Sequence, residues 1–234
     1  MPSASEQIPF SGFSPQGLSF FRRLAENNNK GWFDAHRREF EETLLRPFTI
    51  LSDQLSGFML HLDPLLLAEP SRTLSRIHRD TRFSRDKSPY KTNLWLAFKR
   101  STKGWQFQPC WFFEMAADWY RYGMGFYSAS GTTMDAFRRE LALRPARFRD
   151  VIAPFAEDGL FTVEGEQYKK PRKPDVAEDL QNWRQRKSFY VVRNCAPDEL
   201  LFSLELAEKI KAGFTTLAPL YNYLWELVEP EERV

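Results

Sequence analysis

The chain has 234 residues, 42% hydrophobic and 27% charged, with 21 Phe, 8 Tyr and 7 Trp and a mean hydropathy of −0.52. That apolar mass excludes disorder over most of the length, and no stretch approaches the ~18 uninterrupted apolar residues of a membrane helix. The net charge of +2 is unevenly spread: from Arg72 to Lys103 ten Lys or Arg face two acids, Asp80 and Asp86, a local excess of eight, so the remainder carries six net negative charges.

Residues 1–13, with Pro2, Pro9 and Gly12, read as a loose amino-terminal arm without the basic region and apolar run of a secretory signal. The rest, 14–234, reads as one domain. Ser14 as cap and Pro15 at the first helical position open a helix with Leu18, Phe21 and Leu24 on one face. Asn27-Asn28-Asn29-Lys30-Gly31 ends it. A second helix is predicted over 32–45 and a third over 47–62, closed by Asp63-Pro64. The middle changes period. Leu94, Leu96 and Phe98 alternate at strand spacing, 108–117 is an aromatic strand, and 119–127 is another, with Gly123 and Gly125 marking a close backbone approach. Helices are predicted again over 134–143, capped by Thr132 or Thr133, and over 145–156. Short strands follow over 160–163 and 188–192, separated by the basic loop 169–174. Two closing helices are expected over 204–214 and 218–228. Helices, then strands, then helices give an α+β fold, an antiparallel central sheet with helices at the amino-terminal and carboxy-terminal ends.

Several chemistries lack a motif. Cys110 and Cys195 are 85 positions apart and specify no disulfide framework; a reducing cytoplasm is the expected compartment, with Cys110 a buried inert thiol in an apolar run. His36, His61 and His78 share no metal-ligand spacing, so no metal site is predicted. No Gly-x-Ser-x-Gly elbow, phosphate loop or dinucleotide turn is present, and no cofactor is specified. Oligomeric state is not specified either.

The dense feature is Arg76 to Asn93, RIHRDTRFSRDKSPYKTN. Its pattern, R-x-x-R-D-x-R-F-x-x-x-K-x-P-Y-K-x-N, resembles the signature of a mainly bacterial family, domain of unknown function 2461. The positions that carry the resemblance are Arg76, Arg79, Asp80, Arg82, Phe83, Lys87, Pro89, Tyr90, Lys91 and Asn93. The stretch from Asn27 to Phe33 is similar to that family's amino-terminal region, and the family's length implies that nearly the whole chain is covered. The resemblance implies no activity, so the residues are read by their chemistry.

Arginine presents planar paired donors that fit phosphate or carboxylate oxygens, and lysine adds a point charge. Arg76, Arg79, Arg82, Lys87 and Lys91 converging on one vacancy would bind an anion, with Tyr90 and Asn93 adding donors at the rim. Asp80 could orient an arginine or act as a catalytic base if its pKa were raised. As a strand, 76–82 puts Arg76, His78, Asp80 and Arg82 on one face, and Arg79 with Ile77 and Phe83 on the other. As a helix, Arg76, Arg79, Asp80 and Phe83 share a face. The β-branched and aromatic residues favour a strand, then a turn over 84–89 and a strand from Lys91, with Asp80 in reach of Arg76 and Arg82. The favoured expectation is a pocket for an anionic small molecule, enzymatic or not. A nucleic-acid-binding module is the alternative, in which Trp105, Phe107 and Trp111 beside Lys99, Arg100 and Lys103 could stack bases. A third reading is a lattice of internal ion pairs that binds nothing. No membrane association is expected.

Overall fold

The computed structural model describes residues 9–82, 85–156, 159–170 and 176–228. Its centre is five strands: β1 (Asn93–Phe98), β2 (Pro109–Ala116), β3 (Tyr120–Phe126), β4 (Thr162–Glu164) and β5 (Tyr190–Cys195). They pair in the order β1-β2-β3-β5-β4, every pair antiparallel. The α+β expectation is met. Register puts Trp95 opposite Glu114, Glu114 opposite Arg121, and Arg121 opposite Asn194. Because side chains alternate between faces, this row fixes the composition of both. One face carries Leu96, Phe98, Trp111, Phe113, Tyr122 and Met124, all buried. The other carries Trp95, Phe112, Glu114, Arg121, Tyr190 and two glycines of β3.

The apolar face is covered by helices. α1 (Pro15–Glu26) starts at Ser14, whose hydroxyl accepts from the Gly17 N–H, with Pro15 first in the helix as predicted. The expected 32–45 helix is instead broken. α2 (Lys30–Ala35) is capped by the Asn29 side chain, which accepts from the Trp32 N–H, and α3 (Arg37–Phe40) follows a break at His36. A π-turn, Glu41–Leu45, then runs directly into α4 (Arg46–Leu62), where the sequence suggested separate helices. Pro47 sits where the π-turn passes into α4. A short α5 spans Pro70–Thr73; α6 (Gly131–Leu143) is capped by Ser130 rather than by Thr132 or Thr133; α7 spans Pro145–Ala156 and α8 Gln181–Arg184. The two predicted closing helices are one, α9 (Glu205–Leu227), which passes through Pro219. Packing outweighs the cost of that proline: Phe214, Leu217, Leu220 and Tyr221 are all buried, each contributing about 1.5–3 kcal/mol of apolar burial. Trp111 of β2 meets Phe214 and Tyr221 of α9 at centroid distances of 4.9 and 4.7 Å.

Two loops are anchored beyond expectation. The arm is tied down from Phe10 onward: Phe10 and Phe13 are core residues, and the Phe13 N–H donates to the Leu201 carbonyl at 3.0 Å. Residues 1–8 lie outside the described residues, as do 171–175 of the basic loop and 229–234. Asp63, buried at the end of α4, accepts from Arg100 Nε at 2.7 Å and from the Tyr221 hydroxyl at 2.6 Å, tying α4 to the end of β1 and to α9.

The outer edge of β1 is not bare. The Leu67 N–H donates to the Lys99 carbonyl, the Ser75 N–H to the Trp95 carbonyl, and the Trp95 N–H to Ser75 Oγ. Farther along, the Arg79 N–H meets the Pro89 carbonyl and the Lys91 N–H the Ile77 carbonyl. The predicted strand over 76–82 is therefore an irregular extended segment, with isolated bridges only at Leu74 and His78. Its alternation survives: Arg76, His78 and Asp80 point outward while Ile77 is buried.

Candidate functional site

The signature segment forms an arch braced by its own acids. Asp80 and Arg82 make a two-pronged pair, Nη2 to Oδ2 at 2.7 Å and Nε to Oδ1 at 3.0 Å. These bonds, with one from the Arg82 backbone N–H, hold the Asp80 carboxyl down at about 2. A carboxylate held so low is a poor proton acceptor near neutrality, the opposite of the raised value a catalytic base needs. Arg79 pairs with Asp86 at 3.2 Å, its Nη2 reaches the Tyr90 carbonyl at 3.4 Å, and its buried Nε has no partner. Lys87 Nζ donates to the Thr81 carbonyl at 2.8 Å. Tyr90 is buried and stacks on Phe33 at 4.1 Å, while the Asn28 amide bonds both its N–H and its carbonyl. Arg76 is exposed, without the ion pair to Asp80 that a strand would give, and Phe83 lies outside the described residues. Arg79, Arg82 and Lys87 are thus each held by a partner within the segment itself. Lys91 and Asn93 alone among the singled-out residues are directed to the sheet face.

That face holds a cavity of about 220 Å³, walled by Trp95, Trp105, Phe112, Tyr127 and Tyr190, with Glu114 and Arg121 among its polar lining. Beneath it β3 passes close to β5 at two glycines, one of which, Gly125, lines the cavity. A Cβ on Gly123 would lie 2.0 Å from the Val191 carbonyl oxygen, and one on Gly125 would lie 2.4 Å from Tyr190 Cα. Gly125 also has φ +151°, where side chains are disfavoured. Bare backbone therefore lies between Phe112 and Tyr190, whose rings meet edge to face at 5.9 Å.

The floor is a polar relay across all five strands. Glu114, 9% exposed, accepts from the Asn93 amide and from Arg121 Nε at 2.7 Å. Arg121 Nη1 reaches diagonally past Gly123 to the Tyr190 hydroxyl at 3.4 Å. Tyr190 donates to Glu164 at 3.1 Å, and Asn194 donates to the same carboxylate at 2.6 Å. Burial acts against the Arg121 charge, but Glu114 and Tyr190 outweigh it, so its pKa is raised. Burial raises the Tyr190 phenol, opposed by Arg121 and aided by Glu164.

The rim is cationic. Lys99 is 9% exposed, its Nζ lies 4.8 Å above the Trp105 ring, and it pairs with no carboxylate among the described residues. Burial pushes its amine below the ordinary lysine value. Lys91 Nζ lies 5.8 Å from the Trp95 ring, lowered by burial although Glu114 pulls the other way. Cys110, beside Lys99, is pushed up to about 12 by burial, so its thiol stays protonated. Trp111, grouped with the basic residues from sequence, lies on the opposite face in the core, and Arg138 is buried against Asp135 and Tyr168. Among the described residues no group of His, Cys, Asp or Glu is placed to hold a metal, and no helix is long and apolar enough to cross a membrane.

A family model for conserved hypothetical proteins, DUF2461, matches residues 16–223. The chain belongs to the DUF2461 family. The match takes in the arch, all five strands of the sheet and most of α9. No curated protein matches the chain.

Sequence reasoning missed Glu114, Arg121 and Tyr190. The available signal was an acid in the apolar run of β2, and Arg121 two positions before Gly123 at strand spacing; the strand register that joins them is not written locally.

Proposed function

We propose that the open sheet face binds a flat small molecule carrying a phosphate or carboxylate. The ring sits between the aromatic walls, and the anion meets Lys99 at the rim. The observation that carries this reading is Lys99, a residue only 9% exposed whose ammonium rests on a cavity tryptophan and pairs with no acid among the described residues. An anion would supply the missing partner. In this reading Arg76, Arg79, Arg82, Lys87 and Tyr90 belong to the arch that carries Lys91 and Asn93 to the sheet, and Asp80 restrains Arg82. The two free cysteines support a reducing, cytoplasmic setting.

Calorimetric titration with salicylate and with uridine monophosphate tests it. At least one class is expected to bind, and Lys99→Met to weaken that binding by about tenfold, or ~1.4 kcal/mol. Asp80→Asn should leave it unchanged. Absence of binding by both classes, or full affinity in Lys99→Met, would overturn the proposal.

A further inference from the structure

Ten Lys or Arg lie between positions 72 and 103. Three are in ion pairs: Arg79 with Asp86, Arg82 with Asp80, and Arg100 with Asp63. The other seven pair with no carboxylate among the described residues, and Arg72, Arg76, Arg85, Lys87 and Lys103 are exposed. One small anion needs one or two cations, so this strip is out of proportion to such a ligand. The strip also has a definite place. Ser75, between Arg72 and Arg76, is hydrogen-bonded to both the N–H and the carbonyl side of Trp95 on the outer edge of β1, so this end of the strip borders the cavity.

Aromatic rings continue from the cavity toward solvent. Trp95 meets Trp105 at 5.7 Å and Trp105 meets Tyr127 at 5.3 Å, with Tyr127 74% exposed. The charges are sorted by depth. The carboxylates of Glu114 and Glu164 lie on the sheet face itself, where they accept from the Arg121 and Asn194 N–H groups and the Tyr190 hydroxyl and repel phosphate, while Lys91 and Lys99 flank the tryptophans at the rim. Unstacked bases seek aromatic faces and N–H acceptors; their phosphates seek a basic track.

We infer that this face binds single-stranded nucleic acid, one base in the cavity over β3 and the neighbouring phosphates along the basic strip beside β1. The inference rests on the pocket reading above and extends it from a single ring to a strand.

Fluorescence anisotropy with labelled U12 RNA and dT12 DNA tests it, with unlabelled uridine monophosphate as competitor. At least one 12-mer is expected to bind more than about tenfold tighter than the monophosphate. Its log–log salt slope should be about −2, the counterion release of about three phosphate contacts on a single strand. The double variant Arg72→Gln/Arg76→Gln changes only exposed side chains and should flatten the slope without altering monophosphate affinity. Trp105→Ala should weaken the 12-mer at unchanged slope. The comparison of U12 with dT12 separates RNA from DNA. If no 12-mer binds tighter than the monophosphate, or a duplex of equal length binds equally well, the strand inference is overturned and the pocket reading stands. If neither nucleic acid nor monophosphate binds, the inference is likewise overturned, and the salicylate titration alone decides the pocket.

Discussion

Arg121 of β3 stands directly opposite Glu114 of β2, Nε 2.7 Å from the carboxylate, and the absent side chain at Gly123 lets its guanidinium extend to Tyr190. Both partners are largely withdrawn from solvent, so removing one leaves the other charged and poorly solvated. Glu114→Ala is expected to destabilise the fold by about 2–4 kcal/mol, and Glu114→Met with Arg121→Met by less than the two single changes added together. Urea denaturation of the four proteins of this cycle measures the coupling; additive losses would show that the pair contributes nothing beyond its separate residues.

The glycines of β3 make a sharper test. Gly123→Ala places a Cβ 2.0 Å from backbone oxygen on β5, which cannot yield without separating the strands. A loss of about 3 kcal/mol or more, or failure to fold, is expected. Gly131→Ala, at the start of α6 with nothing within 4 Å, is the control and should be neutral or stabilising by up to about 1 kcal/mol. Thermal melts of both variants decide it.

Lys99 sets binding against stability. Burial lowers its amine, so its charged form weakens the folded state at neutral pH, and that loss is relieved as pH rises from the folded-state value to the ordinary 10.5. Lys99→Met should therefore melt no lower than the wild type at pH 7 while losing anion affinity. In the wild type, anion affinity should fall with rising pH before the ordinary lysine value is reached. A melting temperature several degrees lower in Lys99→Met would contradict the burial argument.

The Asp80–Arg82 clasp gives the opposite pH sign. The Asp80 carboxyl is held at about 2, below the ordinary carboxylate value of 3.8, so its contribution is complete above pH 4 and is lost as pH falls through about 2. Carbon NMR of the Asp80 carboxyl should show that low titration point, and Arg82→Gln should return it toward 3.8. A midpoint near 4 in the wild type would mean that the clasp does not persist in solution.

The α+β layout was legible because period carries it. Alternation in β1 to β3 and the Ser14–Pro15 start of α1 need no tertiary knowledge. The helix joins were not: Pro219 reads as a break, yet α9 runs through it because Phe214 and Leu220 on either side are both locked into one core. The basic arch was legible as a cluster of charge but not as a geometry. Whether Arg82 turns to Asp80 or to a ligand depends on rotamers that local sequence does not fix. The cavity was least legible, since Trp95, Glu114, Arg121 and Tyr190 become neighbours only when strands nearly a hundred residues apart settle into one register.

The segment laid along β1 has a consequence for how copies of this chain behave when crowded. Unpaired N–H and C=O groups on a boundary strand recruit other chains and seed fibrillar aggregates. Here Ser75 already occupies the N–H and the carbonyl of Trp95, and Leu67 the carbonyl of Lys99. Proteolytic removal of that cover would leave an apolar, aromatic ladder open to strand addition, so the segment ahead of the arch acts as a built-in guard against polymerisation.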